Sequence, residues 1–155
     1  FSSLTCPHCA EFHEKIYEKL EKEYIKPGKV KFEHVSFPLD LAALNAEKIL
    51  QCDGNSQTNF KFLTELYSKQ NKWAVGTDIS IVNSIKSIGK KFALTEDVMN
   101  KCLANKNLEE KILNERIKAQ KNYKITSTPT IYVNEKKYEG KRNYKSFKKI
   151  IDKLL

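Results

Sequence analysis

The sequence predicts an α/β fold interrupted by a helical insertion, and three observations carry that prediction. Near the N-terminus a helix-period segment is followed directly by a short half-apolar one. A long stretch of helical period then runs from about residue 40 to 106 without a strand signal. Close to the C-terminus the apolar period drops to two, and a change between these periods marks a change from helix to strand. With 155 residues the chain is long enough for one domain with its own core. Hydrophobic residues at 40% against 30% charged place it among globular chains rather than disordered ones.

From Pro7 to about Tyr24, Cys9, Phe12, Ile16 and Leu20 recur every three or four residues with Glu and Lys between them, which reads as an amphipathic helix stopped by "KPGK". "VKFEHVSF" follows, with Val30 and Phe32 inward and Lys31 outward, a half-buried strand over 30–37 that ends at Pro38. Leu41, Leu44, Ile49 and Cys52 mark the first helix of the long stretch. "NFKFLTELYSKQNKWAV" is the second and "ISIVNSIKSIGKKFAL" the third. "TEDVMNKCLANK" opens with a capping pattern and is the fourth. The fifth, "NLEEKILNERIKAQKNY", turns Leu108, Ile112, Leu113 and Ile117 inward. "TPTIYVN" and "EKKYEG" are two strands of a hairpin, at 130–134 and 136–139, with Ile131 and Val133 on one side. "NYKSFKKIIDKLL" closes the chain as a helix with Phe147, Ile150, Ile151 and Leu154 inward. The boundaries follow: 1–39 and 114–155 form one discontinuous α/β unit, and 40–113 an inserted helical one. Three strands make a thin sheet, which a strand before Phe1 would complete.

The formal charge is +9, much of it in "NEKKYEGKRNYKSFKKIIDKLL". Tyr138, Tyr144 and Phe147 interleave with those lysines, as in nucleic-acid surfaces. No nucleic-acid motif accompanies them, so a solvated basic face is the better reading and no nucleic-acid partner is expected. No apolar run approaches the ~20 residues that cross a bilayer. Phe1 opens directly onto a cysteine motif with no signal peptide visible, so the chain reads as beginning inside a domain.

That motif is "LTCPHCAEF". A c-type haem anchor needs His directly after the second cysteine, where this chain has Ala10. Structural zinc needs two close ligand pairs, and Cys52 and Cys102 are single and far apart, so no metal is expected. Four cysteines, two adjacent and two distant, fit one active and one structural pair in an oxidising compartment. A redox role fits the local physics. Cys6 takes the N-cap, Pro7 the first helical position where its missing N–H loses nothing, and Cys9 the third. The Cys6 sulfur can then accept from the amides of His8 and Cys9, as capping oxygens do. The helix dipole and a protonated His8 add positive charge. All of these favour thiolate and lower the thiol's pKa. Cys9, one turn inward on the apolar face, is expected to be buried and less nucleophilic.

"ITSTPTIYVN" is the second informative stretch, because proline cannot donate to a strand ladder and belongs at a strand's start. With a redox pair upstream, a cis Thr128–Pro129 bond is expected, offering the Thr128 backbone to an extended substrate segment beside Cys6.

"FSSLTCPHCAEFH" together with "STPTIYVN" resembles the DsbA-like thiol–disulfide oxidoreductases of the thioredoxin superfamily. "KFEHVSFPLDLAALNAEKILQCDG" and "FLTELYSKQNKWAV" are more similar to the alphaproteobacterial branch. The resemblance covers nearly the whole chain. It implies a thioredoxin fold with a helical insertion and a leading strand that this chain lacks. Cys6 would attack substrate and Cys9 resolve the adduct, with Pro7 and His8 tuning the pair and Thr128-Pro129 receiving substrate. A pKa of about 3.5 for Cys6 would stabilise the reduced fold by about 5 kcal/mol at neutral pH and make the disulfide oxidising. Because that folded pKa is depressed, the contribution is complete above the unfolded value and lost as pH falls through the folded one.

The resemblance also implies a periplasmic or membrane-tethered monomer without cofactor. Reduced, unfolded secreted proteins would be its substrates, and a quinone-linked membrane protein would reoxidise it. Cys52 and Cys102 fall within the insertion, either as a structural disulfide or as two free thiols. Thr before the proline is shared with isomerases, so an isomerase or reductase stays open. So does a redox-inactive holdase or adhesion module, which Cys6→Ser would leave functional. His13 reads as a half-exposed surface residue, His34 as a satisfied strand residue, and Trp73, Phe60 and Phe62 as helical core.

Overall fold

The computed structural model describes residues 1–52, 54 and 56–155. Residues 53 and 55, inside the expected helical stretch, lie outside the described residues. Helix α1 spans residues 7–25: an α segment Pro7–Phe12, π segments His13–Tyr17 and Glu21–Ile25, and an α turn Glu18–Leu20 between them. Gly28, at φ +75°, takes the left-handed conformation that reverses the chain after the helix. The helices that follow are α2 (Leu41–Leu50), α3 (Ser56–Ser68), α4 (Gln70–Trp73), α5 (Asp78–Lys90), α6 (Glu96–Ala104) and α7 (Lys106–Asn122). A hairpin of β1 (Tyr132–Val133) and β2 (Lys136–Lys137) leads to α8 (Tyr144–Leu154).

Local sequence explains the helix starts. Asp40, Thr77, Thr95, Asn105 and Asn143 each accept a backbone N–H one turn ahead and so cap α2, α5, α6, α7 and α8. The expected second helix is broken at Lys69 into α3 and α4. Gly89 lets α5 approach α6, because a Cβ there would sit 2.6 Å from Met99 Sδ.

The sheet is shorter than the sequence predicts. Residues 30–37 form no ladder: among the described residues their one strand pairing is the parallel bridge of Ser2 with Ser36. Ser2 N–H donates to Val35 O and Phe37 N–H to Ser2 O, while Phe1 and Thr130 exchange two backbone bonds. Thus Phe1–Ser3 runs between the 35–37 segment and the start of the hairpin arm, and the hairpin keeps only two residues per strand.

Three apolar clusters hold these pieces. Leu4, Cys6 and Cys9 pack with Ile49, Phe62, Leu66, Trp73 and Met99 of the helical insertion. Ile16, Leu20 and Tyr24 of α1 pack with Phe147 and Ile151 of α8. Phe37, Ala119 and Ile125 form the third. Trp73 and Phe62 are buried, with Phe60 packed against them, as expected. Two inward assignments are corrected. Ile117 is 48% and Leu154 54% exposed, because α7 turns Ile112 and Ala119 inward and α8 turns Phe147 and Ile151. Phe147 is buried and Tyr138 stacks on it at 4.1 Å, so these two aromatics of the basic segment belong to the packing.

Candidate active site

The residues before the cysteine pair are held from two sides. Leu39 N–H donates to Ser3 Oγ, and Thr5 Oγ1 donates to Asp40 Oδ2 at 2.8 Å, so the "FPLD" turn locks onto the segment leading into Cys6. Gln70 from α4 donates its Nε2 to both Leu4 O (2.7 Å) and Cys6 O (3.0 Å). Cys6 is the extended N-cap of α1, with Pro7 at its first position, and its carbonyl accepts from Cys9 and Ala10.

Both cysteines are free thiols here. The expected bond from the helix amides to Cys6 Sγ is not made; the side chain makes no cap bond, and the thiol instead donates to Thr128 O at 3.5 Å. A protonated sulfur carries a donor, so it turns to a carbonyl rather than to N–H groups. Thr128–Pro129 is cis, as the sequence predicts, and Arg142 steadies the loop by donating to Pro129 O at 3.0 Å. His8 is exposed at the mouth, 3.8 Å from Glu11.

Cys9 is buried directly behind. Burial pushes its thiol up to about 12, Ser3 N–H offsetting this in part and the charge of Cys6 adding to it. Thr128 Oγ1, buried and without a partner in this dithiol state, is placed to donate to the Cys9 sulfur once that ionises. The two sulfurs thus differ: Cys6, 8% exposed, stands against the cis-proline loop, and Cys9, 2% exposed, meets the core.

Two histidines lie deeper. His34, on its extended segment, bonds Ser2 and Glu47, which fulfils its reading as a satisfied residue. His13 is corrected: it is 4% exposed, stacked on Tyr17 at 4.1 Å and 2.8 Å from Thr64 Oγ1, because α3 covers the face that carries it. Burial, with the nearby charge of His34 adding to it, lowers its pKa to about 3. The unfolded chain therefore binds the extra proton first. Stability is complete above about pH 6.5 and falls as pH drops toward the folded value, by about 2 kcal/mol at pH 5. His13→Phe should flatten that part of a urea-denaturation pH profile; an unchanged acid slope would contradict it.

The sequence reading did not find Gln70, Arg142 or Glu47. Each sits in an ordinary helix or turn pattern, and only the fold aims it at the site.

The thioredoxin family model matches residues 1–153. The chain belongs to the thioredoxin family. Within that family it is DsbA-like: it superposes on Wolbachia pipientis alpha-DsbA1 with a TM-score of 0.89 at 29% identity, covering 99% of this chain and 82% of that one. It is 30% identical over 165 residues to disulfide bond formation protein D of Bacillus subtilis, covering all of this chain and 70% of that protein. A Rickettsia bellii relative, provisionally named a protein-disulfide oxidoreductase, is 27% identical over 134 residues, 86% of this chain and 51% of that protein. The chain spans about half the length of the Rickettsia relatives it matches. Cys6 Sγ faces the Thr128 carbonyl beside the cis Thr128–Pro129 bond, and Cys52–Cys102 form a disulfide with Cα atoms 5.7 Å apart.

Proposed function

We propose that this chain is a thiol–disulfide oxidoreductase that donates a Cys6–Cys9 disulfide to folding secreted proteins. The observation that carries the reading is the asymmetry of the pair: Cys6 at the helix N-cap against the Thr128 carbonyl, and Cys9 buried with its thiol pushed up to about 12. A substrate thiolate attacks Cys6 Sγ, the Cys6–Cys9 bond breaks, and Cys9 leaves and takes a proton. The substrate's second thiolate then attacks its own bridged sulfur, and Cys6 leaves as thiolate at the positive end of α1. The substrate is oxidised by two electrons and the pair reduced.

In this reading Thr128 and Pro129 receive the substrate backbone, Pro7 shapes the helix start, and exposed His8 adds charge when protonated. Residues 1–39 and 114–155 form the redox unit and 40–113 the insertion. The setting is periplasmic, with a quinone-linked membrane partner restoring the disulfide; among the described residues no helix is long and apolar enough to cross a membrane. Glutathione titration of the Cys6–Cys9 couple tests the direction of electron flow. A potential near about −120 mV is expected, and one near about −270 mV would assign a reductase instead.

A further inference from the structure

Arg142 is brought to the mouth of the site by a turn that is fixed at both ends. Tyr138 stacks on buried Phe147 and donates its hydroxyl to Lys141 O at 2.6 Å. Asn143 N–H donates to the same carbonyl at 2.9 Å, and the Asn143 side chain caps α8. Between these anchors Arg142 donates one guanidinium N–H to Pro129 O at 3.0 Å. The neighbouring carbonyl, Thr128 O, is the one that faces Cys6 Sγ at 3.5 Å. Thr128 and Pro129 are joined by the cis bond, which puts their Cα atoms about 2.9 Å apart. The cysteine sulfur and the guanidinium are therefore held by adjacent carbonyls of one loop. A guanidinium carries five N–H donors in a planar fork, so most stay open after one goes to Pro129. The side chain is exposed, and among the described residues no carboxylate pairs with it. The carboxylates on the α1 side of the mouth are engaged, Glu11 by Lys15 and His8, and Asp40 by Thr5 and the Ala43 amide. From Lys136 to Lys145 the chain has five cations against one carboxylate, Glu139, so the loop side of the mouth is positive.

We propose that Arg142 selects the substrate: it takes a carboxylate carried one or two residues from the cysteine that bonds Cys6, so acidic dithiol segments are preferred to neutral or basic ones. The proposal rests on the reading that Cys6 exchanges with protein thiols beside the cis-proline loop. An extended segment advances about 3.3 Å per residue, so a substrate sulfur at Cys6 brings a flanking side chain level with the guanidinium on the next carbonyl. Arginine suits this task because its fork can meet both oxygens of a carboxylate while one N–H stays on Pro129. A lysine would keep the charge and lose that geometry. The contact orders the segment before the sulfur exchange and leaves the exchange itself as described: the substrate thiolate attacks Cys6 Sγ and Cys9 leaves.

The test is single-turnover reduction of the Cys6–Cys9 disulfide form of the full chain by synthetic dithiol peptides with Asp, Asn or Lys on both sides of the reacting cysteine. Arg142→Gln should lower the ratio of the Asp-peptide rate to the Lys-peptide rate by about tenfold at low salt. Arg142→Lys should lower it less and Arg142→Glu more, and salt should shrink the wild-type ratio toward that of Arg142→Gln. Each peptide's own charges alter its thiol ionisation equally for every variant, so the change in ratio reads Arg142 alone. A general loosening of the loop does not move it, since that slows all three peptides together. One ratio shared by the wild type, Arg142→Gln and Arg142→Glu overturns the selection; should Arg142→Glu not fold, the comparison with Arg142→Gln decides it. Failure of all three peptides to reduce the wild-type disulfide form would instead overturn the donating reading, and this inference with it.

Discussion

Cys6→Ser should abolish oxidation of a reduced dithiol peptide, a loss of about a thousandfold or more, whereas Cys9→Ser, given an oxidised peptide, should accumulate it covalently on Cys6. The asymmetry follows from position. Cys6 stands at the start of α1 against the Thr128 carbonyl of the cis-proline loop. Cys9 packs among Leu4, Phe62 and Trp73, and ionising it there is opposed by burial. Without Cys9 the bridged state on Cys6 has no internal thiol to release it, so mass spectrometry of Cys9→Ser after exposure to an oxidised peptide should find the adduct on Cys6. An adduct on any other residue, or residual oxidation by Cys6→Ser, would end the assignment. The same experiment separates this chemistry from a holdase whose cysteines only stabilise the fold, for which Cys6→Ser is silent.

Loss of the second disulfide acts on stability. Cys52 follows α2 and Cys102 lies in α6, separated by 50 residues. Closing a loop of that length removes unfolded-state entropy worth about 4 kcal/mol in the chain-entropy model. The double variant Cys52→Ser/Cys102→Ser should lose about that much in urea denaturation and roughly 8–16 °C in Tm. Oxidation of the dithiol peptide through Cys6 should persist, since Cys6 is held by Gln70, Thr128 and the "FPLD" turn rather than by this bridge. A loss under about 1 kcal/mol would show that the packing of α2 against α5, α6 and α7 already constrains that segment.

Chemical type and order were legible from residues alone because they are local. Cys6-Pro7-His8-Cys9 at a helix start, Thr128-Pro129 before a strand, and the capping Thr95 ahead of α6 each act within one turn, so each leaves a pattern in a short window. The amphipathic face of α1 was legible for the same reason, Cys9, Ile16 and Leu20 being buried as their spacing predicts.

Folding alone decided what depends on which surface covers which. His13 has the spacing of a rim residue, and packing of α3 over it makes it a buried neutral imidazole. Residues 30–37 have the period of a strand but pair through a single bridge, since a ladder needs a neighbour as well as a pattern. Cys6 carries a capping geometry in its sequence, yet its sulfur takes the carbonyl that the cis-proline loop presents from more than a hundred residues away. Gln70, Arg142 and the Glu47–His34 pair reach the site only because distant elements close on it. Short-range periodicity sets which elements form; long-range contact sets which polar groups they bury together, and that contact has no local signature.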